Sequence, residues 1–153
     1  MTIRFDRVDD FTPARLGQNG RLRLRDGTEL EVLGNHPLYA IWADAIRLVR
    51  QADKPLYVEV IPQSTVVADM FIPQQNTILS VTPDPDQDQH LVACFPIPSG
   101  NSVSPGNPRR QELLDILRAA RESQETLWVT IQPHTREILD ARPVLDTAAP
   151  GDA

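Results

Sequence analysis

The chain lacks the residues that build disulfides and most metal centres. Its 153 residues include one cysteine and three histidines. A single cysteine excludes an intramolecular disulfide and any zinc site made of paired cysteines, and it is typical of a reducing compartment. The histidines stand apart at positions 36, 90 and 134, without the spacing of a preformed ligand set. We therefore expect no metal, no cofactor and a cytoplasmic location.

Long apolar runs, an excess of basic residues and phosphate-binding motifs are lacking too. No stretch approaches the roughly 18 apolar residues that a membrane span needs, so we expect no membrane partner. The net charge of −6 argues against nucleic acid, since its capture needs a concentrated cationic surface. Neither GxGxxG nor GxxxxGK[ST] occurs. Because only 5% of the residues are aromatic, the core must be mainly aliphatic.

The chain does contain an internal repeat. The segment LYVEVIP at 56–62 recurs as LWVTIQP at 127–133. We call these two segments the twin phrases. Residues 37–73 align without a gap on residues 108–144, at an offset of 71, and eight of the thirty-seven pairs are identical. Such a long period indicates a repeated structural unit, which we interpret as a tandem duplication. The alternative is two similar helix-strand units that share only a pattern.

Within each unit the hydrophobic period changes from that of a helix to that of a strand. Apolar residues at helical spacing follow Asn107 and Pro108, which predict an N-cap and a first-turn proline. The period then falls to two in the twin phrases. We predict an α+β fold, a duplicated unit of roughly ββαββ with antiparallel strands and one helix, in an element order near β-β-β-α-β-β. The two units would pack as one domain. Element order alone also permits two small OB-like barrels.

Turn residues divide the chain into segments. We predict a first repeat unit at 1–83, a polar connection at 84–89, a second unit at 90–145 and a disordered tail at 146–153. In RLRLRDGTELEVL, a three-residue loop that ends at a left-handed Gly27 keeps the leucines of both strands on one face of the hairpin. We therefore predict this loop, with the three arginines paired to Glu29 and Glu31 across the strands. The matching stretch of the second unit, broken by proline and glycine, predicts one strand followed by a loop.

Two features could carry chemistry. Cys94 could act as a nucleophile with His134 and Asp140, although the apolar strand LVACFP is more typical of a core cysteine. The loop before the second helix delivers backbone amides and two arginines to the helix start, where an anion could offset the charge. The residues of this predicted anion site are Ser104, Gly106, Asn107, Arg109 and Arg110.

The twin phrases supply the third candidate. Tyr57 and Trp128 occupy the same repeat position and point away from the Leu-Val core row, as does Ile61. Large aromatics with a polar group are enriched at interfaces, so these three residues predict a partner-binding surface. The alternative is packing between the repeats.

We expect a non-enzymatic interaction module that binds a protein partner or forms a homodimer. The alternative function is a small enzyme or anion-binding protein that uses Cys94 or the loop before Arg109.

Overall fold

Strands and one amphipathic helix recur in the same order in both halves of the chain. The structure, a computed structural model, describes residues 2–85, 88–95 and 101–144, except the side chains of residues 94 and 95. The first half contains β1 (Thr2–Thr12), β2 (Gly20–Leu24), β3 (Glu29–Val32), α1 (Tyr39–Gln51), β4 (Pro55–Val60) and β5 (Val67–Phe71). The second contains β6 (Gln74–Pro83), β7 (His90–Phe95), β8 (Asn101–Val103), α2 (Arg110–Ser123), β9 (Thr126–Ile131) and β10 (Ile138–Pro143).

Each half forms one antiparallel five-stranded sheet, so the fold is α+β as predicted. The strand order is β3-β2-β1-β4-β5 in the first unit and β8-β7-β6-β9-β10 in the second, which is the same topology. Among the described residues neither sheet closes into a barrel. In each unit one parallel bridge joins an outer strand to the residue just before the other outer strand. These bridges join Glu31 of β3 to Val66 before β5, and Ser102 of β8 to Glu137 before β10. This pairing does not conflict with the OB-like alternative, which is a partly open barrel.

The two units match down to single hydrogen bonds. Both outer bridges lie at the offset of 71 found in the sequence. A β-bulge interrupts β1 between Val8 and Asp10, and the equivalent bulge interrupts β6 between Ile78 and Ser80. The helix entries match as well, because the N–H of Leu38 donates to His36 Nδ1 and the N–H of Arg109 donates to Asn107 Oδ1. The repetition is therefore one of backbone geometry as well as sequence.

The core of each unit lies between its helix and one face of its sheet. In α1 the buried residues Trp42, Ile46 and Val49 pack with Leu56, Val58 and Val60 of β4. In α2 the buried residues Leu113, Leu114 and Leu117 pack with Leu127 and Val129 of β9. Burial of these apolar side chains, at about 25 cal/mol per Å² of apolar surface, is the main source of stability in both units.

The hairpin of the first unit confirms the predicted register. Leu22 pairs with Leu30 and Arg23 pairs with Glu29, and Gly27 has a φ of 95° in the connecting turn. The predicted ion pairs differ, since Arg23 binds Asp9 and Arg25 binds Asp53. Asp9 is the extra residue of the β1 bulge, which places its carboxylate 2.8 Å from the Arg23 guanidinium.

Three further details of the structure differ from the sequence expectations. The second hairpin contains a second strand, β8, where a loop was predicted; it has only three residues, too few to show a period of two. The helix α2 begins at Arg110 rather than at Pro108, and Asn107 instead caps the preceding turn. The compact units separate between Ile72 and Pro73 rather than at 84–89, because β6 pairs with β7 and β9. The predicted tail at 146–153 lies outside the described residues.

Candidate functional site

The rings of the twin phrases are buried rather than presented to solvent. Tyr57 and Trp128 lie on the face of their strands opposite the helix, as the alternation predicts, yet both are almost fully buried. The Tyr57 hydroxyl donates to Glu59 Oε2 at 2.9 Å, and its ring lies 6.1 Å from that of Phe71. The buried Trp128 Nε1 has no hydrogen-bond partner among the described residues. Of the three predicted partner-binding residues, only Ile61 is exposed.

The predicted anion loop is held by hydrogen bonds within the protein. Ser104 Oγ accepts the N–H of Gly106, and Asn107 Oδ1 accepts the N–H of Arg109 at 2.8 Å. Arg110 donates to His90 Nδ1 at 3.1 Å, while its buried Nε has no partner among the described residues. The structure therefore brings the five predicted residues together, but with the loop amides and one guanidinium engaged internally.

Arg109 is the centre of an ion network in the second unit. Its guanidinium binds the fully buried Asp140, which also accepts from Arg142 Nε at 2.8 Å. Its other donors reach Glu112 at 3.1 and 3.3 Å. The hydrogen bonds to Glu112 and then to Asp140 raise the pKa of Arg109, and Arg109 in turn lowers the pKa of Glu112. Two carboxylates thus occupy the place that an external anion would take on Arg109.

The other chemical candidates are dispersed. Asp140, the carboxylate proposed to orient His134, is bound by two arginines. The side chain of Cys94 lies outside the described residues, although its backbone pairs with Ile78. In the part of the chain that the structure describes, no group of three or more His, Cys, Asp or Glu residues could hold a metal ion. None of the helices described there has the length and apolar character that crossing a bilayer requires.

A charged groove lies on the outer face of the first hairpin. Its volume is about 370 Å³. Its charged lining residues are Asp10, Arg21, Arg23, Glu29 and Glu31. These residues lie on three adjacent strands, and the basic pair on β2 stands between acidic residues on β1 and β3. The two signs nearly balance, which does not favour a polyanionic ligand.

An exposed apolar line on α1 was missed by the sequence reasoning. Its residues are Leu38, Ile41, Ala45 and Leu48, which share one side of the helix at spacings of three and four; we call them the α1 line. Leu38, Ile41 and Leu48 retain 41%, 64% and 61% of their exposure. The structure gives them no place in the buried core of the first unit. Large apolar side chains aligned in this way on an exposed helix are typical of a contact surface.

The second unit shows that the fold does not require this line. At the offset of 71 the positions of Leu38, Ile41 and Leu48 are held by Arg109, Glu112 and Ala119. The offset alignment was thus the signal that could have revealed the line, because it separates apolar residues shared by both helices from those found on one.

Comparisons with known proteins leave the site to be interpreted from its own geometry. The chain matches no protein-family model, no curated protein and no solved structure.

Proposed function

We propose that this protein is a non-enzymatic interaction module and that the α1 line is its binding surface. The observation that carries the proposal is the contrast between matched helices: α1 exposes Leu38, Ile41 and Leu48 where α2 carries arginine, glutamate and alanine. Keeping large aliphatic side chains in water forgoes roughly 1.5–3 kcal/mol for each that could be fully buried. A partner that covers the line recovers this free energy.

The arrangement of the polar groups supports binding over catalysis. Arg109 and Asp140, which the enzyme and anion-site alternatives would need, are bound to each other. The α1 line, by contrast, is bordered by Asp44 and Arg47, which form an exposed ion pair with each other at 2.8 Å. An apolar centre with a polar, solvated border is the common arrangement of a protein interface.

Site-directed photo-crosslinking tests this proposal with a matched control. A photoreactive residue replaces Leu48 in one variant and Ala119, its equivalent on α2, in another. We expect discrete covalent adducts to protein from position 48 and few from position 119, with the attached peptide identified by mass spectrometry. Adding Ile41→Glu to the first variant should remove the adducts, since a buried carboxylate beside the reactive position disfavours docking. Equal adducts from both positions, or none from position 48, would contradict the assignment.

A further inference from the structure

We propose that the occupant of the α1 line is α1 of a second copy of this chain, lying antiparallel across a twofold axis. This inference rests on the proposed function and names its partner. Three properties of the helix support it: the spacing of the apolar residues, the small residue between them and the charges at the border.

The spacing makes the line self-complementary. Ile41 and Leu48 are seven residues apart, about 10.5 Å along the helix, and Ala45 lies between them on the same side. In an antiparallel pair with its axis midway, Ile41 of one copy faces Leu48 of the other. Ala45 then lies near the axis, where its short side chain permits close approach of the helices. A twofold interface requires this property, because the same patch must serve both copies.

The border charges are self-complementary as well. Asp44 lies three residues after Ile41 and four before Leu48, so it borders the line directly. Arg47 lies three residues further on, and both side chains are well exposed. Across the proposed axis, Asp44 of each copy can meet Arg47 of the other. A uniformly acidic partner would instead meet Asp44, and a uniformly basic one would meet Arg47.

The size of the line sets the expected strength. A standard stable interface has about 20–30 residues on each side, far more than the four residues of the line and their two charged neighbours. We therefore expect a weak dimer whose population rises with concentration. The second unit has no equivalent line, so it does not extend association into open filaments through a second matching surface.

Sedimentation and light scattering across a wide concentration range test the dimer with the purified full chain. The wild type should approach twice the 17.1 kDa chain mass at high concentration. Leu48→Glu should remain monomeric throughout. Leu79→Glu is the matched control, since Leu79 is 57% exposed in the second unit, and it should dimerise as the wild type does. Circular dichroism of each variant verifies that the helices persist.

Charge exchange tests the antiparallel arrangement. Asp44→Arg and Arg47→Asp should each dimerise roughly tenfold more weakly alone, because like charges then face each other twice. An equimolar mixture of the two should associate at least as well as the wild type, since every cross-axis pair is again attractive.

The outcomes separate this inference from the proposed function. A wild type that stays monomeric at every concentration overturns the twofold pairing, and adducts from position 48 to a different protein would still support the interaction module. A dimer that survives Leu48→Glu, or a mixture of charge variants that fails to associate, also overturns the pairing.

Discussion

Leu38 and Arg109 occupy the same position in the repeated fold, but their side chains point in opposite directions, one to the surface and one to a buried carboxylate. Both enter a helix by donating the backbone N–H to a side chain two residues earlier. Leu38 then stays at the surface and begins the α1 line, whereas Arg109 reaches the buried Asp140 on the outer strand β10. One backbone therefore supports an outward apolar residue and an inward charged one. The fold therefore does not dictate which side chains stand on this part of the helix.

The aspartates at the matched position of the outer strands provide the largest expected contrast. Asp140→Asn leaves Arg109 and Arg142 without their shared carboxylate, and we expect a loss of about 3 kcal/mol. This is the lower end of the range for breaking a buried ion pair, because the two arginines retain 26% and 39% of their side-chain exposure. The matched Asp69→Asn should cost at most about 1 kcal/mol, since Asp69 accepts the N–H of Met70 and forms no ion pair of this kind among the described residues.

Urea unfolding can report the two units separately, because each contains one tryptophan. Trp42→Phe leaves Trp128 to report the second unit, and Trp128→Phe leaves Trp42 to report the first. The urea midpoint of Asp140→Asn, followed by Trp128, should fall well below that of its parent. Equal losses for Asp69→Asn and Asp140→Asn would show that the ion network adds no stability of its own.

The comparison also shows how far sequence reasoning reached in the fold. The alternation of inward and outward side chains was sufficient to predict the register of the hairpin, because a shift of one residue would have placed Glu29 or Glu31 in the core. The same reasoning missed β8, whose three residues lie between segments rich in proline and glycine. It also placed β6 in the wrong compact unit, since pairing between Gln74 and Val129 is a contact across 55 positions that no local pattern records.

The candidate site was less accessible to sequence reasoning. Alternation placed Tyr57 and Trp128 on the correct face of their strands, but a period of two does not say whether that face is covered. The partner of Arg109 lies 31 residues away, and nothing in the loop itself pointed to Asp140. The α1 line is visible in the sequence only as a difference between the repeats, because none of its exposed positions is among the identical pairs.

A second contrast concerns pH and lies at the start of β7. Burial, and then the charges of Arg110 and Arg118, lower the pKa of His90, while Asp88 opposes them. The folded state therefore binds this proton less readily than the unfolded state, whose histidine pKa is about 6.5. The stability that neutral His90 supplies is present above that pH and is lost as the pH falls from there through the lower folded pKa. Gly20 begins β2 and pairs with Val32 as His90 begins β7 and pairs with Val103, and glycine does not titrate.

Urea midpoints at pH 7.5 and 5.5 measure this effect. With Trp128 as the reporter, the midpoint should fall at the lower pH, because protonation would break the hydrogen bond from Arg110 to His90 Nδ1. His90→Gln keeps an acceptor for Arg110 without a titrating group, so its midpoint should change less. If both proteins lose the same stability, His90 is not the group responsible.

The smallest contrast lies at the helix ends, where Asp53 and Gln124 have φ values of 54° and 55°. Glycine adopts this left-handed conformation without the steric cost that other residues bear. Gln124→Gly should therefore stabilise the second unit by about 1 kcal/mol, with Gln124→Ala as the control that keeps the strained Cβ.

Asp53→Gly relieves the same strain but removes the carboxylate that binds Arg25 at 2.6 Å and lies 3.5 Å from Arg7. The loss of these exposed ion pairs should offset the relieved strain, so the net change in stability should be near zero. A gain in Trp42-reported stability as large as that of Gln124→Gly would mean that these ion pairs contribute nothing, and that the two helix ends differ in sequence but not in energy.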